Sequence, residues 1–249
     1  MRFIRNLLRA KKPLEPSAGP DLYGDLDREF LAPLAACQNA TLTSVERLYA
    51  IYKAVEYILR HNIPGDFAEC GVWRGGSVMM MALALRQFGG PDRIIHCFDT
   101  FSGMTEPGAF DTQTHTGIPA AAVLDGANRD EDDPFWAVAP LDVVKRNMIS
   151  TGYPADLVRY HVGRVEDTLP AAAPARLALL RLDTDWYAST KHELNCLFPR
   201  LSAGGALIID DYGYWRGARQ ATDEYLAETG AKILLNRIDF TGRIGVKVE

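Results

Sequence analysis

The feature that most constrains this chain is a recurring pattern: a short apolar run, a polar residue at its end, then a stretch of helical spacing. Five runs do this, in "DFAECG", "RIIHCFDT", "LVRYHVG", "RLALLRLDTD" and "ALIIDDY". Apolar, β-branched strands alternating with helices require a largely parallel sheet covered on both faces. Two closing runs, "KILLNRI" and "GRIGVKV", have no helix between them, so the last strand is expected to be antiparallel. The predicted fold is α/β, a doubly wound, mostly parallel seven-stranded sheet. At 249 residues the chain suits one such domain with an extension. We expect an N-terminal extension over 1–40 and the main domain over 41–249, with a long connection at about 102–140.

Local signals place the helices. Ser44 is a good N-cap for the helix in "VERLYAIYKAVEYILRHN", which Pro64 and Gly65 stop. Ser77 is the expected N-cap, and Gly89 the C-cap, of the helix after the first strand. "STKHELNCLFPRL" is expected to be closed by "SAGG", and "KKPLEPSAGPDLYGDLDREFLAPLAACQNA" to be irregular. Ser102 to Pro140 is too long for an ordinary connection and is expected to form a lid; its acidic run, Arg129 to Trp136, is expected to be solvated.

Charge and composition remove several function classes. Lys and Arg total 27 against 32 Asp and Glu, a net charge of −5, which disfavours nucleic acid as a partner. No run reaches the roughly 20 apolar residues of a membrane span, and the basic "MRFIRNLLRAKK" lacks a signal-peptide core. Cys37, Cys70, Cys97 and Cys196 are scattered, fitting free thiols in a reducing cytoplasm. The basic arm and the helix before the sheet point to a homo-oligomer, a dimer or larger.

In an open parallel sheet, ligands bind beyond the carboxyl ends of the strands. There the chain carries Glu69 and Gly71, then Asp99, Gly163, the pair Asp183 and Asp185, and the pair Asp210 and Asp211. The turn "ECGVWRGGS" is a poor dinucleotide fingerprint, because Trp73 stands where a second glycine would admit a pyrophosphate. That counts against an NAD-dependent oxidoreductase and favours a ligand with a ribose but no diphosphate. Asp99 suits the ribose hydroxyls, or a helix cap. Alternation along a strand sets Asp183 and Asp185 on one side, and strands lie ~4.8 Å apart, so Asp210 or Asp211 can join them if the strands are neighbours. Carboxylates converging without basic partners repel one another, and a hard divalent cation, Mg²⁺, Mn²⁺ or Ca²⁺, resolves the conflict. The alternative is that "DD" caps a turn and "DTD" is an exposed strand end. Spacing does not divide roles among the four aspartates.

Four stretches, "TLTSVERLYAIYKAVEYILRHNIPGDFAECGVWRGGS", "HCFDTFSGM", "LRLDTDWYAST" and "GGALIIDDYGYWRGARQATDEYL", together resemble the macrocin O-methyltransferase family. Its members are Rossmann-like class I enzymes that use S-adenosylmethionine and a metal, Mg²⁺ or Mn²⁺, to methylate sugar hydroxyls on antibiotics. The resemblance covers roughly Thr41 to the C-terminus. It implies that Glu69, Gly71, Gly75 and Ser77 face the methionine part of the cofactor, with Thr43 and Ser44 closing over it. It also implies that Asp99 holds the ribose, Gly163 to Val165 lie near the adenine, Asp183, Asp210 and Asp211 bind the metal, and Asp185 is the general base. Trp215 and Arg219 would shape the acceptor pocket, and His115, in the long segment, is an acid/base or substrate candidate or a solvated loop residue. Arg74 is ambiguous, while His96, His161 and His192 read as structural. The acceptor implied is a small-molecule glycoside or glycan. The rival readings are a metal-dependent phenol or catechol O-methyltransferase and a non-catalytic binding protein.

Overall fold

A computed structural model describes residues 23–90, 93–127 and 133–249. The basic N-terminal arm and residues 129–132 of the acidic run lie outside the described residues. Seven strands, β1 (Asp66–Cys70), β2 (Ile95–Asp99), β3 (Val158–Val162), β4 (Leu177–Leu182), β5 (Leu201–Ile209), β6 (Ile233–Arg237) and β7 (Arg243–Lys247), form one sheet in the order β3-β2-β1-β4-β5-β7-β6. β7 runs antiparallel to β5 and β6, and all other pairs are parallel. After β1 the chain builds outward to β2 and β3, then returns to lay β4 on β1's other side. Strand order therefore reverses between β1 and β4, which opens a crevice at their carboxyl ends.

Alternation along the central strands feeds two cores. Phe67, Leu179 and Ile208 point to one face, where α1 (Leu31–Cys37), α2 (Val45–Arg60), α3 (Gly76–Phe88) and α5 (Leu141–Ser150) supply Leu34, Ile51, Met80 and Val144. Ala68, Leu180 and Leu207 point to the other, against Val165 of α6 (Val165–Thr168), Leu194 of α7 (Tyr187–Leu197) and Tyr225 of α8 (Arg216–Thr229). The remaining helix, α4 (Ala120–Asp125), lies in the long connection and packs with Trp186 and Trp215 in a third cluster.

Several local expectations hold and three do not. Ser44 caps α2 by accepting from the Arg47 amide at 3.2 Å, and Gly89 closes α3 in the left-handed region. Ser77, however, is buried inside the first turn of α3, and Gly75 is the N-cap, with φ +91°. The turn passes through left-handed geometry at Trp73 and Gly75, and the Gly76 amide donates to Ala40 O at 2.8 Å, so the helix starts before Ser77. The stretch before Ala40 is not irregular throughout: Phe30, Leu34 and Cys37, at i, i+4 and i+7, drive α1 into the core, and Pro33 sits harmlessly in its first turn. "SAGG" lies inside β5 rather than closing a helix. Pro199 ends the helical path in a short turn, and the register jumps from Leu177–Leu201 to Leu179–Ala206, an irregularity that Gly204 absorbs at φ +79°.

Candidate active site

The carboxyl ends of β1, β4 and β5 continue the ladder for one more bond each. The Asp183 amide donates to Cys70 O at 2.8 Å and the Asp210 amide to Leu182 O at 2.9 Å. These bonds carry Asp183, Asp210 and Asp211 to a common point, where one ligand atom from each lies within 4.8 Å of the others. Asp185 arrives differently from the expectation. β4 ends at Leu182, and strand alternation does not govern Asp185, which takes φ +67° and donates its amide to Asp211 Oδ2 at 3.2 Å. Its side chain joins the cluster through a turn that Asp tolerates better than most residues.

The carboxylates do have basic partners, which corrects the premise on which the sequence argument for a cation rests. Arg181, two residues before Asp183 on β4 and 1% exposed, pairs with Glu69 Oε1, with Asp183 Oδ2 at 2.7 Å and with Asp210 Oδ1. Register places it opposite Glu69 on β1, and period two gives it the face of Asp183. Arg47, on the first turns of α2, pairs with Asp210 Oδ2 and with Asp239 Oδ2 at 3.0 Å. Sequence reasoning misses both arginines because one sits inside an apolar run and the other in a helix 163 residues from its partner. Arg181 is detectable as a charge in the middle of "LALLRLD".

The two arginines do not exhaust the need for positive charge. They face Glu69, Asp183, Asp210 and Asp239, while Asp185 and Asp211 add two more carboxylates alongside. Burial pushes the Asp185 carboxyl up to about 7, opposed by a hydrogen bond from Trp215 and reinforced by Asp210. Burial and the neighbouring Asp185 and Asp183 raise Asp211 well above the carboxylate range, and burial raises Asp183 likewise despite Arg181. A hard divalent cation fits this donor set: all-oxygen ligands, converging, and in excess of the arginines.

On the β1 side the geometry suits a ligand that carries a hydrogen-bond donor such as an amino group. Glu69 is 1% exposed, Arg181 takes its Oε1, and its Oε2 is buried with no hydrogen-bond partner. Burial, offset by Arg181, raises its carboxyl to about 7. An orphaned buried acceptor of this kind is costly unless a ligand donor meets it. Gly71, at φ +82°, serves a packing need: a Cβ there would stand 1.9 Å from Asp183 O. Gly75 faces Val144 across 3.2 Å to its ideal Cβ. Asp99 accepts from the Val72 and Trp73 amides at 2.6 and 3.0 Å and from the Phe101 amide at 2.7 Å, so it anchors the turn at the end of β1. Gly163 donates its amide to Asp99 O at 2.9 Å, and Val165 is packed in the core at the start of α6. Thr43 accepts from Arg181 at 3.0 Å, and Ser44 donates to Asp239 at 2.7 Å, which ties this segment to the arginine–aspartate network.

The 102–140 segment bonds to residues 214–216, which follow the Asp210–Asp211 pair. Gln113 forms an isolated bridge with Trp215, the Thr114 amide donates to Tyr214 O at 2.8 Å, and the Arg216 amide donates to Thr112 O at 2.9 Å. Asp111, 1% exposed and not singled out in the sequence, accepts from the Tyr187 amide at 2.8 Å and so caps the first turn of α7. A second missed residue, Glu193, is fully buried beneath the Asp183–Asp185 turn and accepts from the Thr184 hydroxyl at 2.8 Å. Trp215 donates its indole N–H to Asp185 Oδ1 at 2.6 Å. Arg219 is over half exposed, pairs with Asp223 at 3.5 Å and lies over the Tyr212 ring. His115 is exposed, with ring contacts to Tyr214 and Phe240 at 5.4 and 5.8 Å. His96 and His161, 3.1 Å apart, are strand residues stacked on the sheet, and His192 lies 3.4 Å from Leu169 O.

Comparison with known proteins identifies the family. Residues 31–244 match the macrocin O-methyltransferase (TylF) family. The chain is 38% identical over 248 residues to an 8-demethyl-8-(2,3-dimethoxy-alpha-L-rhamnosyl)-tetracenomycin-C 4'-O-methyltransferase of Streptomyces olivaceus, covering 97% of this chain and 88% of that one. It is 35% identical to the mycinamicin III 3''-O-methyltransferase of Micromonospora griseorubida, over 81% of this chain and 76% of that one. Among solved structures it resembles the O-methyltransferase NovP, with a TM-score of 0.72, 32% identity and coverage of 84% and 83% of the two chains. The family match starts at α1, the helix that the core recruits from the stretch before Ala40. The chain belongs to the macrocin O-methyltransferase family.

Proposed function

We propose that this protein transfers the methyl group of S-adenosylmethionine to a hydroxyl of a sugar carried by a natural product or glycan, with Mg²⁺ or Mn²⁺ at the carboxylate cluster. The observation that carries the reading is the convergence of Asp183, Asp210 and Asp211 beside Asp185 in a member of an O-methyltransferase family. The curated relatives' names, which specify methylation at a rhamnosyl-tetracenomycin and at mycinamicin III, support a glycoside acceptor.

When bound, S-adenosylmethionine would supply an electrophilic methyl group and the cation a Lewis-acidic charge that favours the deprotonated form of the acceptor hydroxyl. Asp183, Asp210 and Asp211 would hold the cation. Arg181 and Arg47 fix the orientation of Asp210, and Arg181 that of Asp183, through charge-assisted bonds that leave little rotational freedom. Asp185 accepts the hydroxyl proton, a general-base role that needs a carboxylate next to the cation without being locked to an arginine. Glu69, through its unpartnered Oε2, receives the cofactor's ammonium group. Asp99 shapes the turn that receives the ribose, and the 43–44, 71–77 and 163–165 segments line the same cofactor. Trp186 and Trp215 pack with Ala120 and Leu124 of the 102–140 segment, an apolar wall beside the reacting hydroxyl. Arg219 and His115 stand outside this core and are proposed only as rim contacts for the acceptor.

The test is a methyl-transfer screen over deoxysugar glycosides, with catechols as a comparison and EDTA as the control, read by a mass gain of about 14 units (CH₂ added) per methyl transferred. Cation-dependent methylation of glycosides is expected. Turnover that survives EDTA removes the cation role, and preference for catechols removes the sugar assignment.

A further inference from the structure

We infer that Trp215 is a positioning residue for the base, holding Asp185 by its indole N–H and tying that hold to the seating of the 112–114 stretch of the long connection. The inference rests on the reading of Asp185 as the base of an O-methyltransferase. Asp185 stands at φ +67°, a conformation that L-residues adopt rarely and that persists only where the surroundings enforce it. Two bonds enforce it: the Asp185 amide to Asp211 Oδ2 at 3.2 Å and the Trp215 indole to Asp185 Oδ1 at 2.6 Å. The first fixes the backbone, and the second fixes the carboxylate plane.

Trp215 is itself fixed from three sides. It is 4% exposed and packs edge to face on Trp186 at 5.1 Å, and Trp186 donates to Thr105 O at 3.0 Å. Its backbone bridges to Gln113, and its neighbours Tyr214 and Arg216 bond to Thr114 and Thr112. The residue that orients the base is thus the one on which the long segment registers. A base with a free carboxylate rotor would spend part of its time turned away from the hydroxyl, and a segment lifted off 214–216 would release it. Positioning losses of this kind reach about two orders of magnitude in rate.

Trp215→Phe keeps an aromatic ring and removes the N–H. Its kcat is expected to fall about 10- to 100-fold. KM for S-adenosylmethionine and Mn²⁺ affinity, read by electron paramagnetic resonance of the full-length protein, should stay within about twofold. In the Asp185→Asn background the same substitution should cost no further activity, because the group it orients is gone. A second measurement needs no turnover: the Trp215 indole proton should resonate downfield in the wild-type protein, and Asp185→Ala should move it upfield. An unchanged kcat in Trp215→Phe, equal losses in both backgrounds, or an indole resonance indifferent to Asp185→Ala would each overturn the inference. Failure of the wild-type protein to methylate any glycoside would sink the functional reading instead, leaving the resonance test intact.

Discussion

Arg181 carries a charge into the centre of the sheet and meets three carboxylates there. Breaking a buried ion pair by removing one partner leaves uncompensated charge and costs on the order of 3–5 kcal/mol. Arg181→Met should therefore lower the melting temperature by about 6–20 °C, at roughly 2–4 °C per kcal/mol for a chain of this size. A shift below about 2 °C in calorimetry, in buffer without divalent cations, would show that Glu69, Asp183 and Asp210 do not depend on it. Asp185→Asn separates base from ligand: kcat should drop about 10²- to 10⁴-fold while Mn²⁺ affinity changes little. Equal losses in both would make Asp185 a ligand. His96 and His161 give the residue scale its pH dependence. Burial lowers both imidazoles from their ordinary value, opposed for His96 by Asp66 and reinforced for His161 by His96. Below pH about 6.5 the unfolded chain takes up protons that the folded one refuses, so this pair stabilises above that pH and loses its contribution as pH falls through the folded values. Glu69, raised to about 7, acts in the opposite sense, so the comparison must be made against a variant. His161→Phe should flatten the acid loss of stability below pH about 6.5 in urea titrations, and identical slopes would refute the assignment.

At the scale of elements, the active-site rim depends on how closely the turn after β1 approaches the end of β4. Gly71 makes this possible, since its ideal Cβ would lie 1.9 Å from Asp183 O at φ +82°. Gly71→Ala combines left-handed strain of about 1–2 kcal/mol with overpacking of about 1–3 kcal/mol, so a loss of roughly 2–5 kcal/mol is expected. The same substitution should displace Asp183 and weaken Mn²⁺ binding, and full affinity in a folded variant would count against that coupling. The strands, their polar ends, α2 with its Ser44 cap and the antiparallel β7 are all legible in the sequence, because periodicity and capping are local. The start of α3 is not, since a contact between Gly76 and Ala40 sets it. Nor is the bulge that draws "SAGG" into β5, which follows from pairing with β4.

For the whole molecule, strand order brings Asp183 on β4's end and the Asp210–Asp211 pair on β5's end together beside Glu69 on β1. A cation and S-adenosylmethionine, bound at these sites as proposed, would stabilise only the folded chain. At 100 times Kd each ligand should add about 2.7 kcal/mol, a rise of roughly 5–11 °C in melting temperature at this size. EDTA should reverse the cation's share, measured by scanning fluorimetry; no shift with either ligand would remove both from the site. Among the described residues no helix is long and apolar enough to cross a membrane.

The sequence by itself determined which residue types stand at the strand ends, the α/β alternation and the family, because all three are written in local patterns and in motif order. The four aspartates and Glu69 are legible on those terms. Tertiary structure alone decided that Arg181 and Arg47 neutralise part of the cluster, that Asp185 enters through a left-handed turn, and that Trp215 holds it. Those facts depend on contacts between residues 26 to 163 positions apart. Register and strand order create such contacts, and no spacing along the chain encodes them.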